Sequence, residues 1–196
     1  MFQHPSESTR DFGFGLTANG ASAHIKGVEA QLQALLPWGF DISLNGAYTD
    51  ATFVQGSSII GFPAGTQVPD MPKVSASAVL NWQRQLKDES SLFASLEEDY
   101  VGTRTDAPFG ETITLDNVDQ LLVHLPAYSI VNLRFGIRHE KGSGNRWTAA
   151  LFVNNLTNKQ ALLDPQPQIA LQTSAFARYT ITRPLTAGVD VTYQFH

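Results

Sequence analysis

The stretch that decides the fold is TAGVDVTYQFH, residues 186–196, where Ala187, Val189, Val191, Tyr193 and Phe195 alternate with Thr186, Gly188, Asp190, Thr192 and Gln194. Successive side chains of a β-strand point to opposite faces, so this segment reads as a strand with one apolar and one polar face. It ends on an aromatic beside the end of the chain. The same period of two recurs upstream. Residues 39–54 set Phe40, Ile42, Leu44, Gly46 and Tyr48 against Asp41, Ser43, Asn45, Ala47 and Thr49. Residues 72–86 set Val74, Ala76, Ala78, Leu80 and Trp82 against Ser75, Ser77, Val79, Asn81 and Gln83. Residues 127–139 set Val131, Leu133, Phe135 and Ile137 against Asn132, Arg134, Gly136 and Arg138, and residues 146–156 carry Trp147, Ala149, Leu151 and Val153 on one side. Looser versions at 23–36 and 91–102 bring the count to seven strands, with a remnant around Phe12 and Phe14. Helical spacing is confined to Glu29–Leu36, which also fits a strand.

The connections alternate in length. Short links rich in turn residues fall at Pro37–Gly39, Lys87–Ser90 and Lys141–Asn145, and long ones at 55–71, 104–126 and 158–184. Short turns at one end of a sheet and long loops at the other match an antiparallel transmembrane β-barrel with periplasmic turns and extracellular loops. Strands of about ten residues agree, since a tilted bilayer-spanning strand needs about 9–11. Trp38, Trp82, Trp147, Tyr193 and Phe195 fall near the short-turn end, and Tyr48, Phe53, Tyr100 and Tyr128 near the long-loop end. From Trp38 to Tyr48 the rise is roughly 33 Å along the strand and about 23 Å at a 45° tilt, close to the apolar band of such barrels. These aromatics are expected to form two girdles.

Composition limits the alternatives. The chain has 196 residues, 42% hydrophobic, enough for one folded domain. A net charge of −5 without a basic block argues against nucleic acid as a partner. The absence of cysteine removes disulfides, thiolate metal sites and cysteine nucleophiles. No run approaches the roughly 18 apolar residues of a membrane helix, a test that strands escape. The first residues, MFQHPSESTRDF, lack a basic start and an apolar run, so an export signal is expected to lie elsewhere.

Chemistry-bearing residues are sparse. His4, His24, His124, His139 and His196 show no metal-ligand spacing and read as solvated. Of Glu97, Glu98 and Asp99, only Glu97 and Asp99 share a face, which leaves Glu98 a misfit among apolar residues. FGFGLTANG has glycines without a following helix, so it is a weak phosphate signal. Arg134, Arg138 and Arg146 lie on or beside the polar face, and Arg134 is the candidate among them for an anionic ligand. No catalytic residue, metal or cofactor is expected, and enzymatic activity is not.

IKGVEAQLQALLPWGFDISLNGAYTDATF (25–53), PDMPKVSASAVLNW (69–82), AYSIVNLRFGIR (127–138), RWTAALFVNNLTNKQALLD (146–164) and ITRPLTAGVDVTYQF (181–195) together resemble the C-terminal part of TonB-dependent receptors. The matching features are a Gly-Val-Glu strand, a Pro-x-x-Pro-Lys-like loop exit, a Val-Asn-Leu-Arg strand, an Asn155-Leu156 pair and a Pro-led final strand. The resemblance implies seven to eight strands of a 22-stranded outer-membrane barrel, with residues 1–196 a partial barrel domain. It places the plug and the TonB-contacting box N-terminal of Met1. It implies transport of a scarce nutrient, a ferric siderophore being the family's commonest theme, with outer-membrane lipid, TonB and the barrel-assembly machinery as partners. Gly188, Val191, Tyr193 and Phe195 take the positions of the family's insertion signal, from which this chain departs by placing His196 after the aromatic. Phe62, Phe109, Gln166, Gln168 and Phe176 become ligand-contact candidates in the loops, beside Arg134. Two alternatives stay open on the residues themselves. One is a self-contained barrel of eight strands, closed by Phe12–Leu16, with a structural or adhesion role; the other is a soluble lipocalin-like binder.

Overall fold

The computed structural model describes residues 22–55, 63–87, 89–106, 123–140, 144–167 and 177–195, with the side chains of 106, 164–167 and 177–179 outside the description. Seven long strands form one antiparallel sheet: β1 (Ala23–Leu36), β2 (Phe40–Phe53), β3 (Val74–Gln85), β4 (Ser90–Val101), β7 (Tyr128–Glu140), β8 (Arg146–Asn154) and β11 (Thr186–Gln194), paired in that order. Every expected strand is present, with ends within two residues of the alternation. The helical spacing of Glu29–Leu36 is overridden, because β1 pairs with β2 along its whole length. No described helix is long and apolar enough to cross a membrane, which says nothing of strands. β1 and β11 are the two edges of the described sheet. The Phe12–Leu16 segment expected to close a small barrel lies outside the described residues.

The register turns the alternation of single strands into two continuous faces. Ala34, Ile42, Leu80, Leu96, Leu133, Val153 and Ala187 stand side by side across the sheet, and so do Leu36, Phe40, Trp82, Ala94, Phe135, Leu151 and Val189. This apolar face is uncovered: Val28, Leu151, Val189 and Val191 are between 59% and 72% exposed. So broad an apolar surface marks a partner or a membrane, and a soluble binder would cover it. Glu98 does stand on this face, exposed and opposite Ala78 and Val131.

The opposite face is laced with hydrogen bonds. Asn81 donates to Asp41 Oδ1 at 2.9 Å and accepts from the Ser95 hydroxyl at 2.8 Å, so three adjacent strands are tied in one row. Asn45 donates to Ser77 Oγ at 3.2 Å. Glu97 accepts from Asn132 Nδ2 at 3.4 Å, and Arg134 reaches across β8 to Asp190 at 3.3 Å. Glu97 and Asp99 share this face, as the alternation predicts.

The short turns are built for tightness. Between β1 and β2, Trp38 and Gly39 both have positive φ, 63° and 85°. A Cβ on Gly39 would run into the Gln83 carbonyl oxygen, so only glycine fits there. The Trp38 carbonyl accepts from the Trp82 indole N–H at 3.2 Å, and Trp82 packs against Phe40 with ring centres 6.4 Å apart. At the same end of the sheet His139 lies 5.9 Å from Trp147, and Tyr193, opposite Trp147, packs edge-on against Phe195 at 4.5 Å. His139 is thus part of an aromatic row, with its Nδ1 2.9 Å from Ser90 Oγ, and not the solvated residue expected.

The long-loop row needs correction. Tyr48 and Tyr100 stand on the apolar face, but Phe53 and Tyr128 point to the other one. Parity is the cause. Phe53 lies five residues beyond Tyr48, an odd step, and Tyr128 pairs with Val101, the neighbour of Tyr100.

Candidate functional site: the long-loop end and the polar face

Most of the buried residues among those described gather at the long-loop end: Ala51, Phe53, Arg104, Leu125, Asn155, Ala161 and Thr182. The first loop folds back beside β2, with the Phe53 amide donating to Thr66 and the Val68 amide to Ala51. The second loop contains a hairpin of β5 (Arg104–Asp106) and β6 (Val123–Leu125), and the third a hairpin of β9 (Leu162–Pro167) and β10 (Ala177–Ile181). Neither hairpin was legible in the alternation.

The base of the third loop is knotted by Asn155, which has φ 52° and is 3% exposed. Its amide N–H donates to Asn132 Oδ1 at 3.0 Å. Its side-chain nitrogen donates to the carbonyls of Lys159 (3.0 Å) and Arg183 (2.7 Å), while its Oδ1 accepts from the Lys159 amide at 2.8 Å. One asparagine therefore joins both ends of the loop to the polar face. Thr182 adds a second tie, donating to the Lys159 carbonyl and accepting from the Ala161 amide at 3.0 Å. Asn158 Oδ1 accepts from the Leu185 amide at 3.0 Å, at the entrance to β11.

Arg104 forms the centre of the cluster. Its Nε lies 3.4 Å from Asp70 Oδ1, its Nη2 donates to the carbonyls of Leu162 (3.1 Å) and Leu163 (2.7 Å), and its guanidinium sits 5.7 Å over the Tyr128 ring. Tyr128 misses the outer aromatic row because it serves this inner one.

Two hollows lie on the polar face among the described residues. One, of about 570 Å³, is lined by Glu29, Gln31, Asn45, Ser77 and Asp99 among others. The second, of about 340 Å³, lies between Ser95, Glu97, Asn132, Arg134 and Phe152. Both offer carboxylates, amides and hydroxyls, a lining suited to polar contacts.

The ligand-contact candidates fare unequally. Arg134 borders the second hollow and is already paired with Asp190, both groups about two-fifths exposed. Gln166 has its backbone in β9, opposite Arg178, with its side chain outside the described residues. Phe62, Phe109, Gln168 and Phe176 lie outside the described residues altogether. Arg138 stacks over Phe93 at 5.4 Å, and Arg146 pairs with Glu140 at 2.7 Å. Of the residues expected to form an insertion signal, Val191 and Tyr193 stand on the apolar face, Phe195 packs against Tyr193, and Gly188 stands on the polar face under the ring of Phe152.

Gly188 has a packing duty of its own. A Cβ there would meet Phe152 Cζ at 2.5 Å. Gly188→Ala is expected to push the free end of the half-buried Phe152 ring aside at a cost under about 1 kcal/mol, and Phe152→Leu in the same chain to recover most of it. Urea unfolding of the whole protein in lipid vesicles measures both. If Phe152→Leu restored nothing, the packing explanation would be wrong.

Uncovered apolar and hydrogen-bonded polar faces, short turns and elaborated loops define a membrane-barrel wall. The chain belongs to the TonB-dependent receptor-like β-barrel family, whose model matches residues 3–156. Among solved structures it is similar to the ferric yersiniabactin uptake receptor FyuA from Yersinia pestis, with TM-score 0.65 and 19% identity over 90% of this chain and 24% of that one. It is also similar to BauA, the ferric preacinetobactin receptor from Acinetobacter baumannii, with TM-score 0.65 and 17% identity over 91% and 23% of the two chains. It spans about a quarter of the length of either. No curated protein sequence matches it.

Proposed function

We propose that these residues form C-terminal strands of an outer-membrane TonB-dependent receptor that takes up a ferric siderophore. The observation that carries this reading is the pair of faces made by the strand register: an exposed aliphatic face for lipid and a polar face for the barrel interior. Family membership and the named functions of the two similar receptors support it. In this reading the segment does no chemistry. Energy comes from TonB acting on a plug outside these residues, and the segment supplies wall, interior polarity and three outward loops.

Phe62, Phe109, Gln166, Gln168 and Phe176 are our candidates for ligand contact in those loops, with Arg134 deeper on the interior wall. Val191, Tyr193 and Phe195 would be read by the assembly machinery from the lipid side, since Val191 and Tyr193 stand on the apolar face and Phe195 packs against Tyr193.

The test is uptake under iron limitation. Cells lacking the whole receptor are expected to lose accumulation of radioactive iron from at least one ferric siderophore in a panel of hydroxamates, catecholates and mixed-donor compounds. Cells lacking TonB should lose the same compound. Undiminished accumulation of every compound in the deletion strain would remove the siderophore assignment.

A further inference from the structure

We propose that Arg104 is a positioning residue that binds the bases of the three long loops into one mechanical unit, so that a displacement at any one base is transmitted to the other two. Its backbone belongs to the second loop, in β5. The side chain reaches the first loop through Asp70 Oδ1 at 3.4 Å and the third through the carbonyls of Leu162 and Leu163 at 3.1 and 2.7 Å. A backbone bond reinforces the first link, with the Asp70 amide donating to the Thr105 carbonyl at 2.9 Å. Asp70 itself holds φ 58°, a left-handed conformation that the surrounding contacts maintain.

An arginine that merely balanced a surface carboxylate would be exposed and dispensable. Arg104 is 7% exposed, lies over the Tyr128 ring, and has its Nη1 buried without an acceptor among the described residues. A buried unpaired donor is unfavourable, so the guanidinium is held here by its other contacts. Lysine does not substitute. One ammonium on a flexible stem lacks the planar fork that spans a carboxylate on one side and two carbonyls on the other.

The inference rests on reading these loops as the outward side of the receptor. Its test uses no ligand, so it is decided separately from the question of which compound is transported. Backbone hydrogen exchange is measured on the whole receptor in detergent micelles, as wild type, R104A, R104K and D70A. In R104A and R104K, peptides covering residues 66–71, 104–106 and 161–165 are expected to exchange faster together, on the order of tenfold. Peptides from β3 and β4 should keep their wild-type rates and the urea midpoint should hold, which separates loosened loops from a weakened barrel. D70A should accelerate 66–71 and 104–106 and, through the loosened Arg104, 161–165 to a smaller degree. Acceleration confined to residues 104–106 in the arginine variants would overturn the proposal. Should neither arginine variant assemble, D70A decides: an unchanged rate at 66–71 would overturn it as well.

Discussion

Replacing Asn155 with alanine is expected to lower the stability of the whole receptor by roughly 2–4 kcal/mol. Two causes add. Alanine at φ 52° carries backbone strain that asparagine tolerates, on the order of 1 kcal/mol. The larger cause is the loss of partners for the Arg183 carbonyl and the Lys159 amide, at a residue 3% exposed, while the Lys159 carbonyl loses one of two donors and keeps Thr182. Each buried polar group left unpaired costs about 1–3 kcal/mol. Asn155→Gly separates the two causes, because glycine accepts the backbone conformation and restores none of the side-chain bonds. Urea unfolding in lipid vesicles should rank wild type above glycine and glycine above alanine. A loss below about 1 kcal/mol for alanine would mean that the knot contributes little.

The second large effect concerns neighbouring residues on opposite faces. Leu44 stands on the apolar face between Leu32 and Ala78, and Asn45 on the polar face between Gln31 and Ser77. A cation near the bilayer midplane costs roughly 2–4 kcal/mol on a lipid-facing position. Leu44→Arg should therefore show a penalty of that size, while Asn45→Arg, among polar groups, should stay under about 1 kcal/mol. The pair controls for strand, depth and introduced charge. Equal penalties in vesicle-based unfolding would contradict the assignment of lipid and interior faces.

The long strands were legible because period two is imposed by backbone geometry at every residue, so a run such as Ile42, Leu44, Gly46, Tyr48 states its face without tertiary help. Their ends were legible because the turns carry residues with special conformations, Gly39 above all. Parity applied with less care placed Phe53 and Tyr128 in the wrong aromatic row: closeness to the loops is a matter of height, and facing is a matter of odd and even. The Asn155-Leu156 pair was visible only through family resemblance. Its meaning needed coordinates, since the groups it satisfies are as far apart in sequence as Asn132 and Arg183. Arg104 gave no signal at all. It stands in no periodic run, and its partners Asp70, Tyr128 and Leu163 come from the first connection, the start of β7 and the third connection. The seat of Phe152 on Gly188 was hidden for the same reason, being a cross-strand contact set by register.

The order of the main sheet has a kinetic consequence. Each of its strands pairs with the next long strand along the chain, and the intervening small hairpins close on themselves. Contact order is therefore low for an all-β surface, and chain-closure entropy is met in six modest instalments, the largest being the passage from β8 to β11. Such a wall can zip from one hairpin to the next without a distant segment having to find its place first. Zipping among the described strands stops at β1 and β11, each of which keeps one edge without a described partner, a ladder of backbone donors and acceptors ready for a further strand.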